Sequence, residues 1–149
     1  MTSSTTLPDA KERVQLYLES RGDGVRGARV VPLTGDASDR KYFRVLPRDA
    51  EPFVLAVHAT EIDVDTLPFV NVARLLARMP VPIPKVLGHH NELGILALQD
   101  LGDVTLQAHL GSEPFPAHAA LYRQAVALIA TLQRRGEELA SPEYLPYRI

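Results

Sequence analysis

The sequence contains no cysteine, so neither a disulfide framework nor a thiolate zinc site can form. No apolar run approaches the roughly 20 residues that a membrane helix requires. The N-terminal segment MTSSTTLPDAKER has no basic region followed by an apolar core, which argues against a secretory signal. A net charge of only −2 gives no general attraction to nucleic acid or to an anionic membrane. These absences predict a cytoplasmic chain that binds neither nucleic acid nor membrane.

The hydrophobic pattern predicts an α+β domain. A chain of 149 residues is long enough to bury a core. An apolar stripe at helical spacing predicts a first helix over residues 9–21, with Asp9 as its N-cap. Three strands are predicted next, at Ala28–Leu33, Lys41–Leu46 and Pro52–His58. A second helix and a second hairpin follow, so we expect one antiparallel sheet of five strands with the helices segregated from it.

The last third of the sequence is predicted to be helical. DVTLQAHL reads as a short helix and FPAHAALYRQAVALIATLQRRG as a long one, which Gly136 is expected to end. The long helix carries Leu128, Ile129 and Leu132 on one apolar face.

The segment LTGDASDRKYFRV, from Leu33 to Val45, places a polar loop between two predicted strands. Small residues in a tight turn leave backbone N–H groups open to an anion, and basic side chains follow directly. The loop matches neither GxxxxGK[ST] nor GxGxxG. Its own chemistry leaves both a plain hairpin and a phosphate cradle open, with the hairpin favoured.

The segment ILALQDLGD, residues 95–103, is a second candidate site. An apolar strand runs there into a polar break, where unpaired backbone groups could bond a flat ligand such as adenine. The alternative is a simple connection in which Asp103 caps the following helix. The five histidines have no metal-ligand spacing, so no metal site is predicted from them.

Taken in order, these segments resemble the N-terminal lobe of the aminoglycoside phosphotransferase-like kinases. The closest resemblance is to bacterial sugar kinases that phosphorylate the anomeric hydroxyl of N-acetylmuramate and N-acetylglucosamine. GDASDRKYFR resembles GDASxRRYFR, VPIPKVL resembles VPVPxxL, and LALQDLGD resembles LLLEDLGD. ALYRQAVALIATLQ resembles the ALYRxA…LxxLQ helix. The resemblance extends from about residue 8 to the end.

The resemblance implies a protein-kinase-like lobe that binds ATP. Residues 1–100 would form this N-lobe, with one helix packed on the sheet, and residues 101–149 the hinge and first helices of an incomplete C-lobe. The residues implied for the ATP phosphates are Gly35, Asp36, Ala37, Ser38, Arg40 and Arg44. Those implied for adenine and the hinge are Leu33, Val45, Gln99, Asp100 and Leu101. Mg²⁺ is implied too, but its ligands and the catalytic Asp are expected in a C-lobe absent from this chain.

One departure concerns the lysine that kinases commonly place against the α- and β-phosphates. Val57 or His58 occupies that region, and Arg40, Lys41 or Arg44 is expected to substitute. Glu61 is the only guess for the acidic partner of that lysine.

The resemblance predicts the ATP-binding part of a kinase that phosphorylates a sugar or amino sugar, as in cell-wall recycling. This chain alone is expected to be inactive and to self-associate through the apolar face of its long helix. The alternative is a non-catalytic module, derived from a kinase lobe, that binds a nucleotide or a partner.

Overall fold

The structure, a computed structural model, describes residues 7–34, 39–110 and 115–139, without the side chains of 110 and 115–117. Its helices and strands are α1 (Ala10–Ser20), β1 (Arg29–Leu33), β2 (Lys41–Leu46), β3 (Phe53–Val57), α2 (Pro68–Ala77), β4 (Val86–His90), β5 (Ile95–Gln99), α3 (Leu106–Leu110) and α4 (Phe115–Leu139), with a 3₁₀ turn at Asp23–Val25.

The five strands form one sheet in the order β1-β2-β3-β5-β4, and every neighbouring pair is antiparallel. The predicted α+β fold with a five-stranded antiparallel sheet is confirmed. Because β3 pairs with β5, the hairpin formed by β4 and β5 enters the sheet with β5 inside and β4 at the edge. The β4–β5 pairing contains one irregularity, between Val86 and Gly88.

Helix α1 covers one face of this sheet. Asp9 caps it as predicted, because its Oδ1 accepts hydrogen bonds from the N–H groups of Lys11 (2.8 Å) and Glu12 (3.0 Å). The buried core on this face contains Val14, Tyr17 and Leu18 of α1 and Phe43, Val45, Phe53, Leu55, Val57, Ile95 and Ala97 of the sheet. These strand residues occur at every second position, so the residues between them lie on the opposite face.

The chain divides into two compact units. The first contains residues 1–67 and 84–100, and so all five strands and α1. The second contains residues 68–83 and 101–149. The predicted division into an N-lobe and the start of a C-lobe stays a prediction.

The helices of the second unit begin and end differently from expectation in two places. Thr105, not Asp103, caps α3, because its Oγ1 accepts a hydrogen bond from the Ala108 N–H at 3.1 Å. Helix α4 continues through Gly136 to Leu139, since good helix formers follow and Arg135 pairs with Glu138 one turn on. In the described ranges, no helix combines the length and apolar character needed to cross a membrane.

Candidate functional site

The predicted phosphate loop connects two neighbouring antiparallel strands. Leu33, the last residue of β1, pairs with Tyr42 at the start of β2. Gly35, Asp36, Ala37 and Ser38 lie outside the described residues, so their predicted contact with phosphate is untested.

The two residues predicted to wall the adenine pocket lie on opposite faces of the sheet. Leu33 pairs with Tyr42 and lies on the same face as Tyr42. Val45 is three positions further along β2 than Tyr42, and therefore lies on the opposite face. Val45 belongs to the core under α1 and has 0% of its surface exposed. Val45 has no exposed surface in this structure, and its predicted role in an adenine pocket stays a prediction. The role of Leu33, which is half-buried, stays a prediction.

A bidentate ion pair joins two of the predicted site residues, Arg44 and Asp100. The Nε of Arg44 lies 2.6 Å from Oδ2 of Asp100, and its Nη2 donates a hydrogen bond to Oδ1 at 3.0 Å. The two side chains are only 16% and 10% exposed. Two parallel contacts between a guanidinium and a carboxylate fix orientation as well as charge. Arg44, predicted to bind phosphate, is thus engaged with a residue predicted for the hinge.

Gln99, the residue before Asp100, is held by hydrogen bonds to Lys85, on the side of β5 that faces β4. The N–H of Gln99 donates to the carbonyl of Lys85 at 2.8 Å, and the Lys85 N–H donates to Oε1 of Gln99 at 3.3 Å. The Gln99 N–H is therefore already bonded within the sheet. The backbone groups that could bond a planar base therefore begin at Asp100, where β5 has ended.

Leu101 and Gly102 begin the later of the two segments that make up the second unit. Leu101 is 67% exposed. Gly102 has a φ of +76°, a backbone conformation that side chains with a Cβ rarely adopt, and so allows the chain to turn here.

His58, rather than Val57, is the candidate for the place of the missing lysine. Val57 faces the α1 core and is 1% exposed. The His58 N–H donates to the Gly94 carbonyl at 2.8 Å and so extends the β3–β5 ladder by one residue. Alternation along this ladder directs His58 away from the α1 face. Its Nε2 is buried and has no hydrogen-bond partner in the part of the chain that the structure describes.

The surroundings of His58 favour its neutral form. Burial, followed by the positive charges of Arg40 and Arg13, lowers the pKa of His58 below the usual 6.5. Arg40 immediately precedes β2, next to the loop. An anion beside Arg40 would offset the positive charge that lowers the pKa of His58.

This lowered pKa predicts a pH-dependent stability. The unfolded chain binds a proton at His58 more readily than the folded chain, so the His58 contribution is fully present above pH 6.5 and is lost as the pH falls below it. We expect the melting temperature of the wild type to fall more between pH 7.5 and 5.5 than that of His58→Gln. His89→Gln, an exposed position on β4, should retain the wild-type loss. Equal curves for wild type and His58→Gln would contradict the prediction.

Glu61, the residue guessed as the acidic partner of the missing lysine, does not lie on a helix. It is exposed in the connection before α2, and α2 itself carries no acidic residue.

The implied Mg²⁺ has no cluster of ligands in the described part of the chain. No group of three or more His, Asp or Glu side chains there could hold a metal ion, and the ligands of Mg²⁺ stay predicted for the C-lobe.

Sequence reasoning missed the pairing of Arg44 with Asp100. The two residues are 56 positions apart, and neither motif predicts the other. Strand alternation could have placed Arg44 on the face opposite to the apolar Phe43 and Val45, but it could not have identified Asp100 as its partner.

The sheet with its short loop between β1 and β2, its covering helix α1 and its polar exit from β5 is an α+β fold consistent with a kinase-like N-lobe. Comparison with known proteins supports this class. The chain is 34% identical over 110 residues to the N-acetylmuramate/N-acetylglucosamine kinase of Neisseria meningitidis serogroup B. It is 36% identical over 91 residues to the N-acetylmuramate/N-acetylglucosamine kinase of Pseudomonas aeruginosa. The predicted resemblance to these sugar kinases is confirmed.

The extent of the match differs between the chain and its relatives. The matches cover 73% and 61% of this chain but only 32% and 26% of the two kinases. The matched part of the chain therefore spans about a quarter to a third of the length of these two relatives. No family model matches the sequence.

Proposed function

We propose that this chain is the nucleotide-binding lobe of a kinase that transfers the γ-phosphoryl group of ATP to a hydroxyl of a sugar or amino sugar. The observation that carries the proposal is the 34% identity to an N-acetylmuramate/N-acetylglucosamine kinase over 110 residues. The α+β sheet supports it, because the motifs at residues 35–44 and 96–103 fall at a strand–loop–strand connection and at a strand exit. The proposed setting is the recycling of cell-wall sugars in the cytoplasm.

The proposed base site is the exit of β5. Adenine would bond the backbone groups that follow Gln99, at Asp100 and Leu101, and Leu33 would contact the ring. The N–H of Gln99 would not bond the base, because it is already bonded to Lys85. Gln99 would instead hold the end of β5 in place through its two hydrogen bonds with Lys85.

The proposed phosphate site is the loop end of β1 and β2. The backbone N–H groups of Gly35–Ser38 would bind the phosphate oxygens. Arg40 would supply the positive charge of the missing lysine, and His58, in its neutral form, would supply a hydrogen bond. Phosphoryl transfer depends on positioning and on stabilising charge on the transferred group. In our proposal this lobe supplies the positioning, and Mg²⁺, held by residues outside this lobe, would supply positive charge to the phosphates.

Titration of the chain with ATP, followed by two-dimensional NMR of backbone amides, tests this proposal. We expect shifts at Asp100 and Leu101 and at Arg40, because these positions belong to the proposed base and phosphate sites. Arg48, exposed between β2 and β3, serves as an internal control and should not shift. Absence of any shift at millimolar ATP would contradict nucleotide binding by this lobe.

We also propose that the chain self-associates through α4. Tyr122, Val126, Ile129 and Leu132 recur at helical spacing, and all four are exposed, by between 37% and 62%. Exposed apolar stripes of this kind favour association. The variant Ile129→Glu should shift the chain toward the monomer in sedimentation experiments, whereas Ala127→Glu, exposed on another side of α4, should not. A wild type that stays monomeric at high concentration would overturn this proposal.

A further inference from the structure

The ion pair between Arg44 and Asp100 connects strands that are not neighbours. Arg44 lies on β2 and pairs with Val54 of β3, which pairs in turn with Leu98 of β5. Because adjacent strands lie about 4.8 Å apart, the backbones of β2 and β5 are roughly 10 Å from each other. The Arg44 side chain therefore crosses β3 at Val54 to reach Asp100.

This crossing takes place on the face of the sheet that α1 leaves uncovered. Phe43 and Val45, on either side of Arg44, are in the α1 core. Arg44 consequently shares its face with Tyr42, and through the β1–β2 register with Leu33. The ion pair and the residue proposed to contact the base lie on the same face.

The pair also fixes the backbone at the end of β5. Asp100 is the first residue after the strand. Gln99 is held on the β4 side by two hydrogen bonds with Lys85, and Asp100 is held on the β2 side by two contacts with Arg44. Two consecutive residues are thus anchored from opposite directions, immediately before Gly102 turns the chain.

Arg44 is poorly placed for phosphate. It lies three residues beyond Lys41, the first residue of β2, which is roughly 10 Å along a strand from the loop end. Its guanidinium already contacts the Asp100 carboxylate at two points and donates a hydrogen bond from Nη2, so a contact with phosphate would have to break a largely buried pair.

We propose that Arg44 is a positioning residue for the nucleotide base: its ion pair with Asp100 crosses the sheet and holds the backbone after β5 where the base binds. This inference rests on the proposed function and reassigns Arg44 from the phosphate site to the base site. Arg40 remains the phosphate contact. Arg44, on β2, and Arg40, immediately before β2, then act at opposite ends of the nucleotide.

Three probes separate these roles in the full 149-residue chain: ATP, adenosine and inorganic tripolyphosphate, titrated by NMR. Arg44→Gln should weaken adenosine and ATP by the same factor, on the order of tenfold, and leave tripolyphosphate unchanged. The matched variant Arg40→Gln should weaken tripolyphosphate and ATP and leave adenosine unchanged. A purely structural role for Arg44 would weaken all three probes together.

The Asp100→Asn variant supplies the second readout. If Arg44 acts through Asp100, the double variant R44Q/D100N should bind adenosine no more weakly than either single variant. Arg44→Lys replaces R44Q if that variant does not fold, since lysine keeps the charge but not the two-point contact, and should still weaken adenosine.

Specific outcomes would overturn the inference. Weaker tripolyphosphate binding in R44Q with adenosine binding unchanged would return Arg44 to the phosphate site. Additive losses in the double variant would mean that Arg44 acts independently of Asp100. A wild type that binds none of the three probes would instead refute the proposed function itself, and this inference with it.

Discussion

Replacing Gly94 by alanine is expected to remove about 3–5 kcal/mol of folding free energy, a large part of the stability of a small domain. Gly94 has a φ of +61°, which side chains with a Cβ rarely adopt. A Cβ at this position would lie 2.2 Å from the carbonyl oxygen of Thr60 and 3.1 Å from Nη1 of Arg13. The first of these neighbours is backbone and cannot rotate away.

Gly94 cannot shift to relieve this contact, because its own backbone is bonded on both sides. Its carbonyl accepts the His58 N–H at 2.8 Å, and its N–H donates to the carbonyl of Asn91 at 3.0 Å. Moving Gly94 would therefore disturb the end of β3 and the β4–β5 turn together. The Arg13 guanidinium, buried against this turn and donating to Leu93, would have to move as well.

Chemical denaturation of Gly94→Ala beside Gly27→Ala measures this effect. Gly27 has a similar φ of +70°, but a Cβ added there would meet nothing within 4 Å, so its variant should lose only the backbone term, about 1–2 kcal/mol. The difference between the two variants isolates the contact with Thr60. Similar losses for both would show that the β4–β5 turn adjusts more freely than its hydrogen bonds indicate.

Much of the fold can be predicted because each element carries its own local signal. The predicted bounds of Lys41–Leu46 match those observed, since polar loops flank an alternating apolar pattern. Asp9 is recognisable as a cap from residue type and position. The end of α4 is not, because Gly136 stops a helix only where its backbone turns left-handed, and here the helix continues through it.

The candidate site is harder to predict, since it depends on which face of a strand is covered. The apolar run in Phe53–Val57 is buried at most positions, so it does not reveal which residues α1 covers. Without that, the pattern does not reveal that Val45 belongs to the core. The pairing of Arg44 with Asp100 depends on the order of strands β2, β3 and β5, which no local pattern encodes.

Replacing Asp100 by leucine is expected to cost about 3 kcal/mol of stability. The Arg44 guanidinium, 16% exposed, would lose the carboxylate that it contacts at two points while its charge stays mostly out of water. Removing one partner of a buried pair costs about 3–5 kcal/mol, and the residual exposure of these two side chains favours the lower end.

The double variant R44M/D100L should recover most of this loss and come within about 1 kcal/mol of the wild type, because apolar side chains of similar size remove both the charges and their desolvation. Asp23→Asn is the control for an exposed pair: Asp23 lies 3.4 Å from Arg26, with both side chains at least 85% exposed, and its loss should change stability little. Equilibrium unfolding in urea measures all three variants. If R44M/D100L were less stable than D100L, the arginine would be stabilising the sheet by packing across β3, and the charge pair would contribute little to the fold.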